Sequence, residues 1–203
     1  MEQLKLLNDS IVTMGKFCEE SIVYATKGLL TGKNIFEKRA MDLERKIDVS
    51  QRYIKMMCIK LLLNAPVSKD VKMLNSAMTI IGNLEQIGEQ EKNSSEVCRF
   101  INTDTEYQIV LYIAKMADVV SNMVRQGIMA FVLRDSKMAH VVVSHDNRVD
   151  GLFLAIKTDL LDLFGKDNEK HQEILESIMI AKYLERVGDY TVNIVESVIE
   201  LLR

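Results

Sequence analysis

Eight acidic residues stand in four pairs, the members of each pair four positions apart: Glu44 and Asp48, Glu85 and Glu89, Asp146 and Asp150, Glu185 and Asp189. Residues at i and i+4 share one face of a helix, with Cβ atoms about 6 Å apart, so two carboxylates can chelate one cation or bridge two neighbouring cations. Twenty-nine acids in 203 residues form six such pairs in all, against roughly four expected by chance. Abundance alone therefore carries no weight. The alternative use of the same residues is a solvated face, salt-bridged to Arg45, Arg148 and Arg186. Two of the pairs flank a glycine, in "LEQIGE" at 84–89 and in "LERVGD" at 184–189. Glycine inside a helix costs about 1 kcal/mol relative to alanine, and like charges at i and i+4 repel. Cations gathered by the flanking acids would offset both costs, which is the expectation for Gly88 and Gly188.

The elements that must position these pairs are helices. One proline and nine glycines leave few breaks, and apolar residues recur at steps of three and four almost throughout. The first helix is expected over residues 3–30, with Leu7, Ile11, Met14, Cys18, Ile22 and Ala25 on one stripe, and "TGKN" at 31–34 ends it. The second runs from 35 to 63 with Ile47, Ile54, Cys58 and Leu61 on its stripe. It stops ahead of Pro66, which can open a third helix over 67–100. "NTDTE" at 102–106 supplies capping residues for a fourth, over 105–133. "RDSKM" at 134–138 turns the chain into a fifth that reaches 164, and "FGKDNEK" turns it into a sixth that runs to the end.

The halves read as copies. Ile80, Leu84, Glu85, Gly88 and Asn93 recur 100 positions later as Ile180, Leu184, Glu185, Gly188 and Asn193, and "ERKID" at 44–48 corresponds to "DNRVD" at 146–150. Two repeats of ~100 residues are too few and too long for a solenoid. The expected fold is all-α: two pseudo-symmetric three-helix bundles made of six long antiparallel helices, residues 1–102 forming the first repeat and 103–203 the second. With the second and third helices of each half side by side, four carboxylates would face one site.

Composition excludes several function classes. A net charge of −3, from 26 basic and 29 acidic residues, supplies no footprint for nucleic acid or an anionic membrane. No run of 18 apolar residues occurs and the start lacks a secretory pattern, so a cytoplasmic protein with no direct membrane insertion is expected. Cys18, Cys58 and Cys98 form no CxxC pair and read as core thiols. Neither GxxxxGK[ST] nor GxGxxG is present, and no nucleophile has an evident base, so no enzymatic activity is expected. Di-iron carboxylate bundles pair glutamates with Glu-x-x-His, which is absent. His140, His145 and His171 fall near predicted helix ends and read as surface or capping residues. Met56, Met57, Met73, Met78, Met116, Met123, Met129 and Met179 read mostly as core filler.

The stretches "LERVGDYTVNIVE" and "ERKIDVSQRYIKMMCIKLLLNAPVSKDVKML", with the duplicated acid pairs and "LNDSIVTMGKFCEESIVYAT" near the start, resemble the PhoU family of bacterial phosphate-uptake regulators over nearly the whole chain. The resemblance implies two similar three-helix bundles whose E(D)xxxD motifs bind multinuclear iron or zinc clusters on the bundle surface. Carried over position by position, the motifs fall on Glu44 and Asp48, Glu85 and Glu89, Asp146 and Asp150, and Glu185 and Asp189. One position departs, since Glu89 stands where the family has aspartate, and the first half lacks a counterpart of Arg186. The resemblance further implies negative regulation of phosphate uptake and phosphate-starvation signalling, through the ATPase of the phosphate-specific ABC transporter and a sensor histidine kinase, by a homodimer. The other reading is a structural helical interaction module without functional metal sites.

Overall fold

The computed structural model describes residues 2–63, 68–98, 107–165 and 171–203, with the side chains of 68, 69, 98, 107 and 108 left aside. These residues form six helices in chain order: α1 Glu2–Thr31, α2 Asn34–Leu63, α3 Ser68–Cys98, α4 Tyr107–Leu133, α5 Ser136–Phe164 and α6 His171–Leu202. Among the described residues no strand occurs, and the bounds agree with the helices expected from apolar spacing. The chain is all-α, two pseudo-symmetric bundles of three long antiparallel helices. The repeat boundary at 102/103, Pro66, the side chain of Cys98 and the "NTDTE" caps lie outside the described residues.

Local chemistry accounts for the ends that are described. Gly32 takes a left-handed φ of 62° and returns its N–H to the Gly28 carbonyl at 2.8 Å, closing α1. Arg134, also left-handed at φ 53°, ends α4. The Asp135 carboxylate then caps α5 by accepting from the N–H groups of Lys137 at 2.9 Å and Met138 at 3.1 Å. His171 stacks on Phe164 with ring centroids 3.9 Å apart, and its Nε2 lies 2.9 Å from the Phe164 carbonyl oxygen, fastening the start of α6 to the end of α5. His140 is exposed in the second turn of α5, near its start, whereas His145 lies further inside that helix and is half-buried.

One continuous apolar core runs through all six helices. Inside each half, α1 packs on α2 and α3, α4 packs on α5 and α6, and the third helix lies beside the second; between the halves, α1 meets α4 and α3 meets α6. The four inner helices are therefore covered on two sides, while α2 and α5 lie on the outer faces. Twelve residues of α6 are buried but only five each of α2 and α5. The acid pairs thus sit on seams between an outer and an inner helix.

Paired contacts across the α3–α6 seam display the pseudo-twofold relation. The Tyr190 hydroxyl donates to Gln86 Oε1 at 3.4 Å, and the Arg186 Nη1 donates to Gln90 Oε1 at 3.5 Å. With an offset of 100 between the repeats, these two contacts exchange places.

Cys18 and Cys58 are fully buried free thiols, as expected, and burial pushes the Cys58 thiol up to about 11. Among the methionines, Met73, Met116 and Met123 are core residues, and Met57 and Met78 pack against its edge. Met56, Met129 and Met179 are exposed, so five of the eight fill or line the core, in keeping with the expectation for most of them.

Candidate metal centre

The second-half acids meet where α5 crosses α6. Glycine at 188 has a packing reason: a methyl group there would stand 3.0 Å from Asp146 Oδ1 and 3.4 Å from Val149 Cγ1. The missing side chain lets α5 come close and lays the Asp146 carboxylate against α6 at Gly188. In the first half the equivalent glycine serves α2, since a methyl group on Gly88 would stand 2.8 Å from Ile47 Cδ1. Close interhelical approach therefore gives both glycines a packing reason that does not depend on a cation.

The electrostatics of the second-half group follow from that approach. Burial pushes the Asp146 carboxyl up to about 6, and the negative charges of Asp150, Asp189 and Glu185 push the same way. Asp189 is likewise raised by burial and by Glu185, while Lys182 and Arg186 pull it down. Among the described residues, the Lys182 ammonium, 2.5 Å from Glu185 Oε2, is the one direct ion pair to this group. It runs along α6 at i,i+3, and its geometry is that of a charge contact rather than a directed hydrogen bond, so the buried Oε2 has no hydrogen-bond partner. Arg186 reaches Gln90 on α3 instead of a carboxylate, and Arg45 pairs with Asp42 at 3.4 Å. The salt-bridged face anticipated around Arg45, Arg148 and Arg186 is therefore not assembled among the described residues.

The first-half group is wired differently. Lys92, one turn beyond Glu89, donates to Glu44 Oε1 and to Glu89 Oε2, each at 3.3 Å. Burial works against its charge, but those two hydrogen bonds outweigh it and raise the Lys92 pKa. Asp48 faces Arg52 at 3.9 Å, and Glu85 accepts from the Gln86 amide at 3.2 Å.

In the second half Asp146 feels the charges of Asp150, Asp189 and Glu185, whereas in the first half Lys92 joins Glu44 to Glu89 and the contacts of Asp48 and Glu85 are to Arg52 and Gln86. As the side chains lie, no three His, Cys, Asp or Glu side chains converge on a single point among the described residues. The second-half set nevertheless suits a hard cation: its donors are all oxygens, one buried carboxylate oxygen is without a hydrogen bond, and burial, with the neighbouring negative charges, raises Asp146 and Asp189.

Two residues were not singled out from the sequence. Lys92 carries no local signal beyond its i,i+3 spacing from Glu89. Glu91 has one, because it continues the apolar stripe of Leu84 and Ile87 with a charge. In the structure Glu91 is fully buried, neither carboxylate oxygen has a partner, and burial pushes its pKa up to about 8. Ala25, Leu29, Ile113, Ile180 and Leu184, from α1, α4 and α6, line the small void beside it. Glu91 also helps to hold the neighbouring Cys18 thiol, already raised by burial, far above its ordinary value.

Comparison with known proteins bears on both the fold and the site. The PhoU domain model matches twice, over residues 11–97 and over residues 113–198. The chain is 27% identical over 201 residues to the "Phosphate-specific transport system accessory protein PhoU homolog" of Clostridium acetobutylicum, covering 98% of this chain and 92% of that protein. It is 28% identical over 198 residues to the Zymomonas mobilis protein of the same name, covering 97% and 84%. The crystal structure of PhoU from Pseudomonas aeruginosa superposes with a TM-score of 0.93 at 22% identity, covering 100% of this chain and 98% of that one. The phosphate transport system regulatory protein PhoU from Streptococcus pneumoniae gives 0.89 at 22%, covering 98% and 94%. At those identities the structural likeness speaks for the fold, whereas the double sequence match spans most of both repeats: the chain belongs to the PhoU domain family.

Proposed function

We propose that this protein is a cytoplasmic negative regulator of phosphate uptake and phosphate-starvation signalling, a metal-binding adaptor without catalytic activity of its own. The observation that carries the reading is the double family match together with near full-length similarity to proteins named accessory to phosphate-specific transport. Its partners are the ATPase of the phosphate-specific ABC transporter and a sensor histidine kinase, and its working form is a homodimer. Exposed apolar residues support a role in protein contacts: Val49, Tyr53, Met56 and Leu63 along α2, and Leu154 and Leu161 along α5. No described helix is long and apolar enough to cross a membrane, so contact with the transporter would be made from its surface.

Asp146, Asp150, Glu185 and Asp189 would hold the metal, iron or zinc. Its positive charge would neutralise the group and tie α5 to α6. The second reading, an interaction module with solvated acids, draws on the lack of convergence of three ligands among the described residues. Elemental analysis of the untagged protein, purified without added metal, separates the two. The regulatory role is tested by deleting the gene and following a phosphate-responsive alkaline phosphatase. Expression in phosphate-rich medium, reversed by complementation, is the expected result; undisturbed repression would overturn the role.

A further inference from the structure

In the first half an ammonium already stands between the helices. Lys92 Nζ lies 3.3 Å from Glu44 Oε1 of α2 and 3.3 Å from Glu89 Oε2 of α3. It links the two acid pairs across the seam, the place a bridging cation would take. The other two carboxylates are also engaged, Asp48 by Arg52 and Glu85 by the Gln86 amide. We propose that Lys92 is a tethered counter-ion that closes the first-half carboxylates to metal, so that the chain carries one metal centre, between α5 and α6, and not two. The inference rests on the metal reading above and adds which half takes the metal.

The repeat itself supplies the comparison. One hundred positions after Lys92 stands Val192, which has no charge to offer. The second half does have a lysine at its acids, but Lys182 corresponds to Gly82 and lies on the other side of the motif. It pairs along α6 with Glu185, and its ammonium also stands over the Phe153 ring of α5 at 5.5 Å, but it makes no ion pair with an α5 carboxylate among the described residues. Asp146 and Asp150 of α5 form no ion pair among the described residues. Lys92 also belongs to a sheltered pair, with the Glu44 side chain 15% exposed and its own 26%, so solvent screens it less than a surface contact. A tethered ammonium competes at the high effective concentration of an intramolecular group. A metal ion entering the first half must break two charge-assisted hydrogen bonds and then share the seam with the displaced cation.

The test uses the full-length protein loaded with zinc, freed of excess by gel filtration and analysed for metal. The wild type should carry zinc that D146N/D189N loses completely. K92V, which installs the second half's own residue, and K92M, which keeps the length of the stem, should each gain an added increment of zinc that E44Q/E89Q removes. Circular dichroism and melting curves establish that each variant is folded. The inference is overturned if D146N/D189N retains half of the wild-type zinc, or if neither Lys92 variant binds more than wild type. A wild type that binds no zinc would remove the metal reading of the second half. The Lys92 variants would still judge this inference, supporting it by acquiring zinc and overturning it by remaining empty.

Discussion

Asp146 Oδ1 is held close against Gly188, since a methyl group built on that glycine would stand only 3.0 Å from it. The Gly188→Ala substitution must push the carboxylate, or α5 with it, away from α6. Alanine gains about 1 kcal/mol of helix propensity over glycine, which opposes the cost of the close contact, so the melting temperature should change little. Zinc affinity should nonetheless fall by roughly 10- to 100-fold, the scale seen when the support of a metal ligand is removed. Isothermal titration on the alanine variant checks this, and an unchanged affinity would separate Gly188 from metal binding.

Metal should stabilise the folded chain through the second-half acids. Binding only to the folded form contributes RT ln(1 + [L]/Kd), about 2.7 kcal/mol at a hundredfold excess over Kd. For a chain of this length that corresponds to a rise of roughly 5–10 °C in melting temperature. The Glu185→Gln, Asp189→Asn double variant should lose most of the shift. Without metal it should melt at the wild-type temperature or slightly above, because two repelling charges are gone. Calorimetry with and without zinc reads both effects; identical curves for both proteins in both conditions would discard the site.

The pH dependence of the apo protein should report Asp146. Its folded pKa is raised from 3.8 to about 6, so the folded state binds the proton more tightly than the unfolded state. The stability this contributes is present below pH 4 and is lost as pH rises through 6. Asp146→Asn should flatten the decline between pH 4 and pH 6. Zinc competes with the same proton, so wild-type zinc affinity should climb across pH 6 and level off above it. Urea melts and zinc titrations at stepped pH measure the two slopes, which must have opposite signs.

Glu91 extends the same argument to the core. Its folded pKa, raised from 4.5 to about 8 by burial, makes the carboxyl neutral at pH 7. Its stability contribution is present below pH 4.5 and is lost as pH rises through 8. Wild type should therefore melt several degrees lower at pH 9 than at pH 6. Glu91→Gln, which cannot ionise, should remove that part of the decline and melt above wild type at pH 9. Equal pH profiles for the two proteins would show that Glu91 does not titrate in this range.

The sequence by itself determined the six helices, their order and the repeat. These depend on local quantities: apolar spacing of three and four, a near absence of helix breakers, and short polar connections. It also marked all eight acids, because i,i+4 spacing sets which residues share a helix face. Only the tertiary structure decided what those acids do, since that depends on which charge arrives from the neighbouring helix. Lys92 reaches across to Glu44 from 48 positions away, while in the second half the Lys182 ammonium pairs with Glu185 of its own helix and no ion pair joins the carboxylates of α5 to those of α6 among the described residues. Gly88 and Gly188 look alike in sequence, yet one is set against the Ile47 side chain and the other against a carboxylate. Glu91 stands on the apolar stripe of Leu84 and Ile87, but its desolvation exists only once α1, α4 and α6 close around it. Helical periodicity is written along a single chain segment, whereas desolvation and interhelical charge pairing exist only once separate segments have packed.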